Sequence, residues 1–115
     1  MRDVTERLQD ILEAIGHVER YASRGREGFD SDELIQTWIV HHLQIIGEAA
    51  AGLGCDFHSA HPEVPWPQIV ALRNILVHEY FGIDLEEVWA TVQRDLPVLK
   101  AQVRAFLPTP SGSQG

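Results

Sequence analysis

An arginine, an asparagine, a histidine and a tyrosine fall within eight residues of an otherwise apolar segment, Arg73-Asn74-Ile75-Leu76-Val77-His78-Glu79-Tyr80. No other segment of the chain groups so many side chains capable of chemistry. Histidine takes a proton from a 2′-hydroxyl, or gives one to a leaving oxygen, near neutral pH. Arginine holds a phosphate through two N–H groups and stabilises its developing charge. Asparagine can orient the histidine or the substrate. The set is sufficient for cleavage of RNA without a metal ion. A structural reading competes with this one: Arg73 pairs with Glu48 or another carboxylate, His78 is a satisfied helix-end histidine, and Tyr80 belongs to the core.

The flanks are apolar and periodic, with Trp66, Ile69, Val70 and Leu72 before the segment and Phe81 and Ile83 after it. This pattern predicts a helix over 66–79 that presents one polar edge. Asn74 and His78 are four apart, so they are neighbours on the helix surface. Arg73, Val77 and Tyr80 form an adjoining row. Arg73 and His78 are five apart, roughly 140° around an ideal helix. They converge only through the reach of the arginine, a distorted helix end, or a second copy of the chain.

The elements that must position this segment are legible as helices. Residues 3–22 carry Val4, Leu8, Ile11, Leu12, Ile15 and Val18 at the spacing of one apolar face, with Asp3 or Thr5 as cap. Gly25 and Gly28 break the pattern within 23–30. Ser31 or Asp30 caps a second helix that runs to about Leu53 and is apolar around most of its circumference, as befits a central helix or one covered by a partner chain. Gly47 within it costs about 1 kcal/mol against alanine and allows a close helix crossing. Residues 54–65 read as a connection. Pro67 suits the first turn of the next helix, which ends near Tyr80 with Gly82 as its stop. Asp84 caps a fourth helix bearing Leu85, Val88, Trp89 and Val92; Pro97 kinks or divides it. Val98, Leu99, Val103, Phe106 and Leu107 continue as a fifth segment. Residues 108–115 read as a disordered polar tail. The fold expected is all-α, an antiparallel bundle of four to five helices in one domain over 1–107.

A chain of 115 residues can bury an ordinary core. Its net charge of −8 argues against a module that coats nucleic acid. The single cysteine, Cys55, permits no intrachain disulfide and suits a reducing cytosol. Residues 1–20 carry charges throughout, unlike a signal peptide, and no stretch approaches a membrane span; a cytoplasmic location is expected. His41-His42, His58 and His61 lack the accompanying ligands at metal spacing, so neither metal nor another cofactor is expected. Cys55 sits in the presumed connection with no basic neighbour to activate it. Glu48, a carboxylate in an apolar helix, is either partly exposed or joined to Arg73 in a buried ion pair that supports the arginine.

The chain resembles the HEPN superfamily, and within it the HepT-like toxins. The resemblance rests on Arg73 to Tyr80 as an R-x-x-x-x-H-x-Y motif with asparagine after the arginine, and on Ile46-Gly47-Glu48-Ala49, Pro65-Trp66 with Ile69, Phe81-Gly82-Ile83-Asp84, Val88-Trp89 and the N-terminal Arg7-Leu8 to Ile15. It implies a helical bundle that dimerises with the motifs of two chains facing one cleft, so that the arginine of one copy approaches the histidine of the other. It implies a growth-arresting ribonuclease encoded beside a minimal nucleotidyltransferase antitoxin, which silences it by transferring AMP to the motif tyrosine. Carried over, Arg73 and His78 are the catalytic pair, Asn74 supports them, and Tyr80 is the hydroxyl modified. The acidic body would bind RNA weakly, which favours a restricted target such as a tRNA end. Two other readings are a non-catalytic helical adaptor that binds a nucleotidyltransferase, and a stand-alone structural dimer.

Overall fold

The computed structural model describes residues 3–78 and 84–107, with the side chains of 74–78 excepted. The elements are α1 Val4–Ala22, α2 Gly25–Ser31, α3 Glu33–Gly52, α4 Gly54–Ala60, α5 Trp66–His78, α6 Leu85–Ala90 and α7 Leu96–Phe106, the last two joined by a π-helical turn over Thr91–Asp95. No strand occurs among the described residues, and the fold is all-α. Gly82, expected to stop α5, and the tail from Pro108 lie outside the described residues.

Asp3 starts α1 through a reciprocal cap: its carboxylate accepts from the Glu6 N–H at 2.8 Å, and the Glu6 carboxylate accepts from the Asp3 N–H at 3.1 Å. Leu8, Ile11, Ile15 and Val18 then form the stripe that the spacing predicted, each at most 2% exposed. Burying each such side chain contributes about 1.5–3 kcal/mol. The stripe packs against α3, whose Ile35, Ile39, Leu43 and Ile46 join the same core. The two helices are antiparallel: the Trp38 indole near the start of α3 donates to the carbonyl of His17 at 2.9 Å, whereas Gly52 at its end lies against the Arg7 guanidinium. On another side α3 packs against α5, so it is the central helix.

Three expectations are corrected. The segment with Gly25 and Gly28 is a short helix, because Phe29 plugs fully into the core against the Trp89 ring, 5.2 Å between centroids. Gly25 alone supplies the left-handed turn, at φ +88°. Since Ser31 closes α2, the cap of α3 falls to Asp32, which accepts from the N–H groups of Leu34 at 2.9 Å and Ile35 at 3.4 Å. The presumed connection over 54–65 holds α4, which places Cys55 in a first helical turn rather than a loop. The division expected at Pro97 is present: α6 ends at Ala90, and α7 begins at Leu96 with Pro97 in its first turn. The turn before it widens, with the Leu96 N–H bonding the Thr91 carbonyl, and this accommodates a ring that would collide with the preceding turn of a regular helix.

Gly47 makes the expected close crossing. A methyl group there would lie 2.7 Å from the Arg73 backbone nitrogen, 3.1 Å from its Cβ and 3.2 Å from the Ile69 carbonyl oxygen. Main-chain atoms cannot step aside without moving α5. Gly47→Ala should therefore destabilise by about 1–2 kcal/mol after its helix-propensity gain is deducted. Gly16→Ala, where the new methyl meets nothing within 4 Å, should stabilise by about 0.5–1 kcal/mol. Urea denaturation of both variants checks the contrast.

His42 is buried, 7% exposed, and donates through Nδ1 to the Trp38 carbonyl at 2.9 Å. Burial pushes its pKa below the ordinary histidine value; the Trp38 carbonyl opposes this, and the nearby imidazoles of His17 and His41 add to it. The unfolded chain thus takes this proton first as the pH falls. The stability contribution is whole above about pH 6.5 and declines as the pH drops through the folded value. Urea midpoints at pH 7.5 and pH 5 should differ less in His42→Gln than in the parent.

Candidate functional site

The first turns of α5 fix the register of everything after them. The chain enters through Pro65, and the indole N–H of Trp66 donates to the His61 carbonyl at 2.8 Å. Trp66 and Ile69 are buried, at 3% and 5% exposure. Three and seven residues after Trp66 come Ile69 and Arg73, so the buried row runs directly into the arginine.

Arg73 therefore emerges at the crossing with α3, its backbone against Gly47 and its side chain beside Glu48. Arg73 Nη1 donates to Glu48 Oε1 at 3.3 Å. The pair is not buried: the Glu48 side chain is 66% exposed and that of Arg73 38%. Gly47 faces α5, and the next residue is turned about 100° from it, which carries the carboxylate outward. Both sequence readings of Glu48 thus hold in part, exposure and pairing together. Among the described residues one long contact engages one of the five guanidinium N–H groups.

Asn74 and His78 belong to the helical backbone of α5, His78 as its last residue. Their side chains, and Tyr80 altogether, lie outside the described residues. By register the Asn74–His78 edge is well around α5 from the Arg73 side. A single straight helix does not converge the arginine and histidine.

The remaining histidines are engaged elsewhere. His41 and His42 belong to a ring cluster with His17 and Trp38 at the α1–α3 contact. His58 stacks on Trp66 and bonds the Ala50 carbonyl. His61 packs on Phe57 and Phe106. Among the described residues no three His, Cys, Asp or Glu side chains are arranged to hold a metal ion. Cys55 is exposed and free. No described helix is long and apolar enough to cross a membrane. Sequence reasoning passed over the His58–Trp66 stack, because it took 54–65 as a connection; the spacing of Phe57, Ala60 and His61 was the available sign of a helix there.

Comparison with known proteins bears on the family of the chain. The family described as ribonuclease HepT-like matches over residues 11–106. A Thermococcus cleftensis protein named a probable ribonuclease HepT is 40% identical over 96 residues, 83% of this chain and 87% of that protein. The RNase candidate MJ1380 of Methanocaldococcus jannaschii is 40% identical over 103 residues, 89% of this chain and 94% of its own. The RNase candidate TTE0752 of Caldanaerobacter subterraneus subsp. tengcongensis is 37% identical over 90 residues, 78% and 80% of the two chains. No solved structure matches.

Glu48→Gln removes the charge and keeps the size. With both partners exposed, the change in unfolding free energy should stay below about 1 kcal/mol. A loss above about 2 kcal/mol in urea denaturation would show that the ion pair, and not the helix crossing, holds Arg73.

Proposed function

The chain belongs to the HepT-like ribonuclease family, and from that premise we propose that it is a metal-independent endoribonuclease, the toxin of a toxin–antitoxin pair. The observation that carries this reading is Arg73: a guanidinium fixed at its base by the α3–α5 crossing, half-exposed, and bound among the described residues by a single long contact to Glu48.

In the proposed reaction Arg73 holds the scissile phosphate and stabilises the charge that builds on it. His78 takes the proton of the neighbouring 2′-hydroxyl as that oxygen attacks phosphorus. The bond to the 5′-oxygen breaks, and that oxygen receives a proton from a second imidazole. A homodimer supplies both histidines to one cleft and removes the mismatch between Arg73 and His78 on a single helix. Asn74, four residues before His78, orients the imidazole or the substrate, and Glu48 steadies Arg73. A minimal nucleotidyltransferase antitoxin silences the enzyme by moving AMP from ATP to the Tyr80 hydroxyl with release of pyrophosphate; the added phosphate is the same group that Arg73 holds in the substrate and competes for the arginine. The net charge of −8 gives little general hold on RNA, which favours a restricted target such as a tRNA end. The same acidity is what an adaptor without catalysis would show, and that is the rival reading.

Purified protein whose Tyr80 is shown by mass spectrometry to carry no AMP should cleave RNA in the presence of EDTA, tRNA faster than long unstructured RNA. His78→Ala should lower the rate by about 10²–10⁴-fold. Arg73→Lys, which keeps the charge but loses the two-pronged contact, should lower it substantially as well. No cleavage by a folded, dimeric parent would favour the adaptor.

A further inference from the structure

An open groove of about 580 Å³ lies between α4 and the first turns of α5, with His58, Ser59, Trp66, Pro67, Val70 and Ala71 in its walls. That volume is within the usual range for small-molecule sites and admits a purine. The walls are mostly apolar, but two features define what would fit.

The first is a flat surface. The His58 and Trp66 rings stack at 4.7 Å between centroids, with their planes 12° apart. Trp66 is the buried member, at 3% exposure, so the imidazole is the outer leaf of the stack. The second is a single acceptor. His58 Nε2 lies 2.8 Å from the Ala50 carbonyl oxygen, which can only accept. Nε2 therefore carries the hydrogen and Nδ1 keeps its lone pair, with no partner for it among the described residues. The stack on Trp66 holds the plane of the imidazole, and the Nδ1 lone pair lies in that plane, so a base that reaches it meets His58 edge to edge with its faces on the apolar walls; a lone acceptor suits an amino group on that edge.

Location connects the groove to the proposed cleavage site. Pro67, Ala71, Asn74 and His78 follow one another at spacings of four, three and four along one face of α5. Ala71 precedes His78 by seven residues, about 10 Å along the helix axis. The groove thus opens on the face that leads to Asn74 and His78, while Arg73 stands on the α3 side.

Resting on the ribonuclease reading, we propose that this groove is a base-binding subsite: it holds an amino-bearing purine of the RNA strand, adjacent to the scissile phosphate, and His58 Nδ1 accepts a hydrogen bond from the amino group. His58 is thereby a specificity-determining residue, not a catalytic one.

The test uses AMP and purine riboside 5′-monophosphate, which differ only in the amino group, titrated into the ¹⁵N-labelled protein. AMP should shift the Trp66 indole and Ser59 amide resonances and bind at least threefold tighter than its amino-free counterpart. His58→Phe keeps a flat ring on Trp66 and removes the acceptor; it should bind both nucleotides equally. Ala71→Trp fills the groove; it should lose the shifts and raise KM for RNA at least tenfold. Equal affinity of the parent for the two nucleotides, shifts confined to other faces, or a folded Ala71→Trp with parental KM would each overturn the subsite. Binding at the groove by a parent that cleaves no RNA would sink the ribonuclease reading and leave a base site standing. RNA cleavage without any shift at Trp66 would do the reverse.

Discussion

The close approach of α3 and α5 at Gly47 is the constraint on which the site depends. With a hydrogen in place of a methyl group, the Arg73 nitrogen and the Ile69 carbonyl come within a distance that any side chain at position 47 would occupy. The arginine is thus placed by main chain against main chain. Its ion pair with Glu48 is long and half in water, and pairs of that kind contribute at most about 1 kcal/mol. The carboxylate biases where the guanidinium points; the crossing decides where its Cα sits. Buried Trp66 and Ile69 then fix the rotation of α5 about its axis, so the base of the arginine is fixed both along α5 and around it.

Charge is used sparingly elsewhere. Lys100 is tied to Glu19 at 3.0 Å, joining α7 to α1. Arg26 contacts Asp30 at 2.9 Å and Glu86 at 2.7 Å, joining α2 to α6. These cations hold the bundle and are less free to meet phosphate. In a chain of net charge −8, binding RNA must then come from a few directed contacts and from stacking, more than from a broad positive field. Each phosphate contact on a single strand carries its own release of counterions, so few contacts also mean a mild dependence on salt. A flat subsite such as the His58–Trp66 groove adds affinity without adding charge.

Much of this was readable from the residues. The stripe of Leu8, Ile11, Ile15 and Val18 gave α1, because burial follows a period that a helix imposes. Gly47 gave the crossing, because a glycine inside a long apolar helix carries a cost that close packing offsets. Asp3 and Asp84 gave caps through their side-chain oxygens. What escaped depends on tertiary partners. The 25–31 helix forms because Phe29 finds a cavity beside Trp89, and nothing in the glycine-rich segment itself reports that cavity. The helix over 54–60 is too short for periodicity to outweigh its turn-forming residues. Pro97 announced the division before α7, but the π-helical form of the turn that precedes it is a backbone solution that propensity does not report. At the site, the Glu48–Arg73 pair was foreseen, but its exposure followed from the angle between positions 47 and 48 once Gly47 was known to face α5.

Cys55 is the chain's only cysteine, and it is exposed. It stands three residues before His58 on α4, hence on a neighbouring part of the same short helix. The natural sequence therefore already carries a unique attachment point beside the groove. A thiol-reactive fluorophore or spin label can be coupled there without engineering a second site, and its signal would follow events at the α4–α5 wall in real time.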